Sequence, residues 1–243
     1  MIEVKNLNYL HILKNLNFNI KENSITGIIG KNGSGKTTLL RLLAGFIKPE
    51  NGEIFLNGTN IIEFSTKHIA RNLVYIPQKI TINYDIKVKE FLFFSRYAWA
   101  DSQKKSDNLI MEALEKVDMK NYINSNCRVL SGGEMAKIML ASAIVQQSPV
   151  WVLDEPTAFL DPKSEVDFFK MLKKSVNNKT VIIVTHNLFH IFKTATHIIS
   201  LKDGEVIYDK KTELYNENDL LNVYNVKFNM KKQGDKLICY PES

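Results

Sequence analysis

Apolar positions along this chain switch between two rhythms. Short, largely apolar runs bounded by turn-forming residues recur at 24–29, 73–76, 150–153 and 181–184, and they read as buried strands. Between them, apolar residues return at helical spacing. Residues 38–44 form one such stretch. Val88, Phe91 and Leu92, continuing through Ser95, Arg96 and Tyr97, form another, and Leu109, Ala113, Leu114 and Val117 a third. Asp161 followed by Pro162 is a helix start, with Asp as N-cap and Pro at the first position. The alternation predicts an α/β fold with a largely parallel sheet. Residues 1–29 read as strands without a helix, and 51–58 as a strand between Asn51-Gly52 and Asn57-Gly58 turns. Together they predict an antiparallel layer beside the parallel core. Residues 86–147 read as a helical insertion, 181–184 as the last core strand, and 198–201 with 205–208 as a hairpin around Lys202, Asp203 and Gly204. The segment 211–243 reads as a small helix-and-strand appendage.

Composition narrows this only a little. At 243 residues and 44% hydrophobic, the chain is long and apolar enough for one α/β domain with an insertion. The net charge of +6 suits anionic ligands, but no basic block marks a nucleic-acid surface, and none is expected as a partner. Cys127 and Cys239 have neither disulfide-framework nor metal-ligand spacing and read as reduced structural residues. Residues 1–5 carry no apolar signal core, and no run approaches the roughly 20 apolar residues of a membrane span. A soluble chain is expected, with any membrane role exercised through a partner.

The chemistry begins at Gly30, Lys31, Asn32, Gly33, Ser34, Gly35, Lys36 and Thr37, which fit G-x-x-x-x-G-K-[ST]. Glycines let backbone amides curl around phosphates, Lys36 reaches the outer phosphates, and the Thr37 hydroxyl is a Mg²⁺ ligand. The strand before the loop and the helix opening near Thr38 are the context that the motif needs. A second segment is the apolar strand 150–153 ending in Asp154 and Glu155. A carboxylate there can hold Mg²⁺ and the next one can polarise an attacking water, the other reading of the pattern being a strand that ends at a solvated turn. A third is Leu130, Ser131, Gly132, Gly133 and Glu134, with small residues before a helix that again offer amides to an anion.

With these stand Gln78 after Tyr75, Ile76 and Pro77, then Leu160 and Asp161, then His186 after Val184 and Thr185. In this order and spacing the chain closely resembles the ATPase subunits of ABC transporters over nearly its whole length. The resemblance implies a P-loop NTPase of ABC ATPase type: a RecA-like core, an antiparallel β subdomain and a helical subdomain within one domain, 1–243. It implies ATP bound by Gly30 through Thr38, with Mg²⁺ held by Thr37, Asp154 and Gln78. Glu155 is then the general base, His186 contacts the γ-phosphate and the water, and Gln78 senses both. It also implies a head-to-tail homodimer in which Ser131, Gly132 and Gly133 cap the partner's ATP and Asp161 connects the two sites. Tyr9 is the candidate for stacking on adenine, with packing in the β layer as its other reading.

Glu134 stands where the family more commonly has Gln, and Met135, Ala136 and Lys137 replace a more basic stretch. Residues 88–97, the run Thr157, Ala158, Phe159, Leu160, Asp161 and the segment from Leu214 to Pro241 resemble importers of iron–siderophore, haem and cobalamin type. The implied assembly is two ATPase subunits under two membrane permease subunits, at the cytoplasmic face, fed by an extracytoplasmic binding protein. A soluble ABC ATPase serving a cytosolic partner, such as iron–sulfur cluster assembly machinery, shares the same catalytic motifs. His186 and His190 lie four apart but lack a third ligand, which argues against a metal pair. His11, His68 and His197 read as ordinary surface or core histidines.

Overall fold

The computed structural model describes residues 1–233 and 236–242; Gly234, Asp235 and Ser243 of the expected appendage lie outside the described residues. The chain forms two compact units, Met1–Phe64 with Lys179–Ser243 and, separately, Ser65–Asn178.

The first unit opens with β1 (Ile2–Tyr9), β2 (Leu13–Ile20), β3 (Ile25–Ile29), α1 (Lys36–Leu43), β4 (Asn51–Leu56) and the two-residue β5 (Thr59–Asn60). Strand β1 pairs antiparallel with β2 and β4, and β4 with β5, which is the expected antiparallel layer. Alternation buries Ile2, Val4, Leu7, Leu16, Phe18 and Ile20 on one face. The Asn51-Gly52 pair is not a turn, contrary to expectation. It lies inside β4, where the register shifts between Lys5 and Asn8. A Cβ on Gly52 would sit 2.3 Å from the Asn6 carbonyl oxygen, so this glycine serves a bulge. Asn57 and Gly58, both with positive φ, do make the turn into β5.

The second unit holds α2 (Thr66–Asn72), β6 (Leu73–Ile76), α3 (Val88–Phe94), α4 (Gln103–Lys116), α5 (Gly132–Gln146), β7 (Val150–Asp154) and α6 (Pro162–Ser175). Strands β6 and β7 are parallel neighbours, with Tyr75 opposite Val152 and Ile76 opposite Leu153. The helix expected to carry Arg96 and Tyr97 stops at Phe94. Arg96 explains the turn, because its guanidinium is buried, pairs with Asp101 and donates to the Val145 carbonyl at 2.8 Å. These bonds bring the chain to the end of α5. Helix α2 was not expected from the pattern; none of its residues is buried, so it shows no apolar stripe.

The first unit resumes with β8 (Thr180–Val184), α7 (Leu188–Thr194), β9 (His197–Lys202), β10 (Glu205–Lys211), α8 (Glu217–Tyr224), β11 (Phe228–Gln233) and β12 (Lys236–Pro241). β3 lies between β8 and β9, parallel to both, and β10 pairs antiparallel with β9. β8 is therefore not the last core strand. Ile198, Ile199 and Leu201 of β9 are fully buried, so the expected hairpin forms with a core strand, β9, and an edge strand, β10. Leu39, Leu40, Leu42 and Leu43 give α1 its buried face. β11 and β12 form a hairpin, and β12 packs on α7.

Candidate functional site

The phosphate loop begins where β3 ends. Gly30 takes φ +154°, and a Cβ there would lie 2.3 Å from the Leu201 carbonyl oxygen. Gly35 takes φ +98°, and its Cβ would lie 2.4 Å from the Leu13 side chain. Both positions therefore require glycine. Helix α1 begins at Lys36, two residues before its expected start, with Gly35 as an N-cap that offers no side-chain acceptor. Lys36 is only 7% exposed, and its ammonium donates to the carbonyls of Gly30 at 2.8 Å and Lys31 at 2.9 Å. The Ser34 hydroxyl is buried and has no hydrogen-bond partner among the described residues. A buried unpartnered hydroxyl and a lysine held by backbone carbonyls at a helix N-terminus fit a polyanion. Lys31, Asn32 and Gly33 are exposed, and Thr37 and Thr38 are partly buried in the first turn of α1.

In the second unit the structure joins the acids to partners. Asp154 ends β7 at 2% exposure and accepts the Tyr75 hydroxyl at 2.8 Å. Glu155 follows at 8% exposure and accepts the Gln78 amide at 2.8 Å. Its φ of +47° is left-handed, which costs a non-glycine residue about 1–2 kcal/mol. Such backbone strain is found at functional positions. Tyr75 was missed by sequence reasoning; its partnership with Asp154 is set by the parallel pairing of β6 with β7, which no local signal announces. The Thr37 hydroxyl and the Asp154 carboxylate are oxygen donors of the kind that suits Mg²⁺.

Ser131 caps α5 in a capping box with Glu134. The Ser131 amide and hydroxyl both donate to one Glu134 carboxylate oxygen at 2.8 Å. The Tyr122 hydroxyl, followed by these two Ser131 bonds, holds the Glu134 carboxyl below the usual range. Gly132 and Gly133 form the first turn of α5, and a Cβ on Gly133 would come within 3.0 Å of the Ser164 hydroxyl. This places the first turn of α6 beside the small residues. Asp161 caps that helix, accepting from the Lys163 and Ser164 amides at 3.0 and 3.1 Å. The Ser164 hydroxyl and amide hold the Asp161 carboxyl below its ordinary value. A depressed folded pKa stabilises above the unfolded value and loses that contribution as pH falls through the folded one. Asp161→Ala should therefore lower the thermal midpoint at pH 7, Asp161→Asn should largely retain it, and the Ala gap should narrow below about pH 3.9. Scanning calorimetry of the three proteins across pH checks this.

His186 is exposed just beyond β8, whereas His190 is buried in α7 with its ring against Phe189 at 5.4 Å. Tyr9 ends β1 opposite Leu13, partly buried, and the turn after it brings Ile12 and Leu13 onto Gly35. Cys127 and Cys239 are free and buried. Among the described residues no helix is long and apolar enough to cross a membrane.

Residues 13–158 match the family model described as ABC transporter. A probable iron chelatin transport ATP-binding protein of Helicobacter pylori is 30% identical over 99% of both chains. The petrobactin import ATP-binding protein FpuC of Bacillus anthracis is 33% identical over 86% of this chain and 80% of its own. Among solved structures, a dimeric bacterial ABC transporter cassette superposes with a TM-score of 0.79 at 28% identity, covering 88% of this chain and all of that one. The same cassette has been solved in a post-hydrolysis state bound to ADP and Pi. The P-loop, the acid-ended strand, the capped small-residue turn and these matches together place the chain in the ABC transporter family, as one of its ATP-binding ATPases.

Proposed function

We propose that this chain powers import of an iron–siderophore complex through a membrane permease. The observation that carries the reading is the end-to-end match to the iron chelatin transport protein. It runs through residues 159–243, which the family model does not reach, and that C-terminal segment is part of what set the importer group apart in the sequence. The petrobactin import relative points the same way. The domain is one ABC ATPase, 1–243, with a helical part at about 86–147 and an appendage at about 211–243.

In this reading Lys36 leaves the Gly30 and Lys31 carbonyls for the β and γ phosphates, and the amides of 30–38 close around them. Ser34 gains the acceptor that its buried hydroxyl lacks. Thr37 and Asp154 would hold Mg²⁺, with Gln78 alongside. When bound, the ion neutralises charge on the β and γ phosphate oxygens. Glu155 takes a proton from the attacking water, and His186 steadies that water and the γ-phosphate. Tyr9 stacks on adenine. Two copies meet head to tail, so that Ser131, Gly132 and Gly133 of one face the ATP of the other, with Asp161 at the seam. The dimer docks beneath two permease subunits at the cytoplasmic face, and a binding protein delivers cargo outside.

Purification of the tagged chain from its native membranes in mild detergent tests the assembly. A polytopic permease should copurify in equal number, and transport reconstituted with it should take up ferric siderophore. Recovery of soluble partners alone, from a preparation in which other membrane complexes survive, would overturn the importer reading and leave the ATPase intact.

A further inference from the structure

The Gly30 amide lies one residue beyond the last paired position of β3, where Ile29 faces Ser200. Gly30 is buried, and no side chain fits at that position, so its N–H depends on what surrounds it. It donates to the Tyr224 hydroxyl at 3.2 Å. Tyr224 is the last residue of α8, 194 positions along the chain from Gly30. Its ring packs on Phe228 at 5.5 Å, which ties it to the first strand of the terminal hairpin. Burial pushes the Tyr224 hydroxyl above the usual phenol range, so it remains protonated at neutral pH. The same ring walls a cavity of 630 Å³ shared with His186, Cys239 and Tyr240. The C-terminal segment thus reaches the loop on one side and His186 on the other.

We propose that Tyr224 is a positioning residue for the phosphate loop: its hydroxyl takes the Gly30 amide and so fixes the residue whose carbonyl holds Lys36. This rests on the reading of residues 30–38 as the ATP-binding loop. Gly30 is gripped at both ends, by Tyr224 on its amide and by the Lys36 ammonium on its carbonyl. Without the hydroxyl, a buried amide loses its partner and the first residue of the loop is free to reorient. The loop would then have to be ordered at the moment of ATP binding, which weakens affinity and leaves the chemical step alone.

The test compares Tyr224→Phe with Tyr208→Phe in the full-length protein. The Tyr208 hydroxyl also bonds to α8, accepting from the Asn222 amide at 3.0 Å, but it does not touch the loop. Tyr224→Phe should weaken ATP binding about three- to tenfold, as expected for one lost hydrogen bond, and raise KM in step with kcat nearly unchanged. Tyr208→Phe should bind ATP as the wild type does. Equal affinities for Tyr224→Phe and wild type, or an equal loss in both variants, would overturn the positioning role in favour of general support of α8. A wild-type protein that fails to bind ATP would overturn the phosphate-loop reading and this inference with it.

Discussion

Glu155→Gln should cut ATP hydrolysis by about two to four orders of magnitude while ATP binding persists, the range expected for loss of a general base. The substitution suits the site. Glutamine has the same shape and meets the same left-handed backbone at φ +47°, so the strain is unchanged. The bond from the Gln78 amide at 2.8 Å survives, because the new side chain keeps an oxygen to accept it. What disappears is the capacity to take a proton from water. If the head-to-tail dimer forms on ATP, the variant should accumulate in it, since the step that reopens the dimer has been slowed. Sedimentation with and without Mg-ATP, beside a phosphate-release assay, reads both effects. Undiminished phosphate release would assign the proton to another group.

Glu155 also shows what was legible beforehand. An apolar run ending in two acids, and a glycine loop followed by Lys-Thr, are local patterns whose residue types are set by the ligand chemistry. The first acid landed where expected, at the end of β7, while Lys36 and Thr37 fell in the first turn of α1 and not in the loop before it. Elements whose cause lies elsewhere in the chain were harder to read. Asn51-Gly52 looks like a turn from its neighbours alone, but it is a bulge because the Asn6 carbonyl lies against it. The helix containing Val88 continues in the sequence pattern to Tyr97, but it ends at Phe94 where Arg96 turns inward to the end of α5. The partners of the site residues were illegible for the same reason. Tyr75 meets Asp154 across 79 residues, and Tyr224 meets Gly30 across 194. Hydrophobic periodicity specifies which face is buried, not which hydroxyl meets which acceptor. The Asp161 N-cap is the opposite case. It lies within one helical turn of the Lys163 and Ser164 amides that it accepts from, and Asp161 followed by Pro162 announced it locally.

Lys36→Ala should lower ATP affinity by about two orders of magnitude. A hydrogen bond to a charged group contributes about 1.5–3 kcal/mol, and every 1.4 kcal/mol is tenfold in affinity. Even one such bond at the upper end, or two at the lower, gives that loss. The resting structure sharpens the expectation. Lys36 is 7% exposed, and its ammonium is already satisfied by the carbonyls of Gly30 and Lys31 at 2.8 and 2.9 Å. Exchanging these neutral acceptors for anionic phosphate oxygens turns two ammonium–carbonyl bonds into ion-paired ones, so the added attraction is specific to the bound state. Alanine forfeits that gain and leaves two carbonyls short of a donor in the free protein. The variant should therefore be somewhat less stable without nucleotide and almost unresponsive to it. Thermal melts separate the two effects. Stabilisation by a ligand grows as RT ln(1 + [L]/Kd), so at an ATP concentration 100 times the wild-type Kd the wild type gains about 2.7 kcal/mol. A hundredfold weaker variant gains about 0.4 kcal/mol at that same concentration. An ATP-induced shift as large in Lys36→Ala as in wild type would remove the lysine from the phosphate site, whatever the two midpoints are without nucleotide.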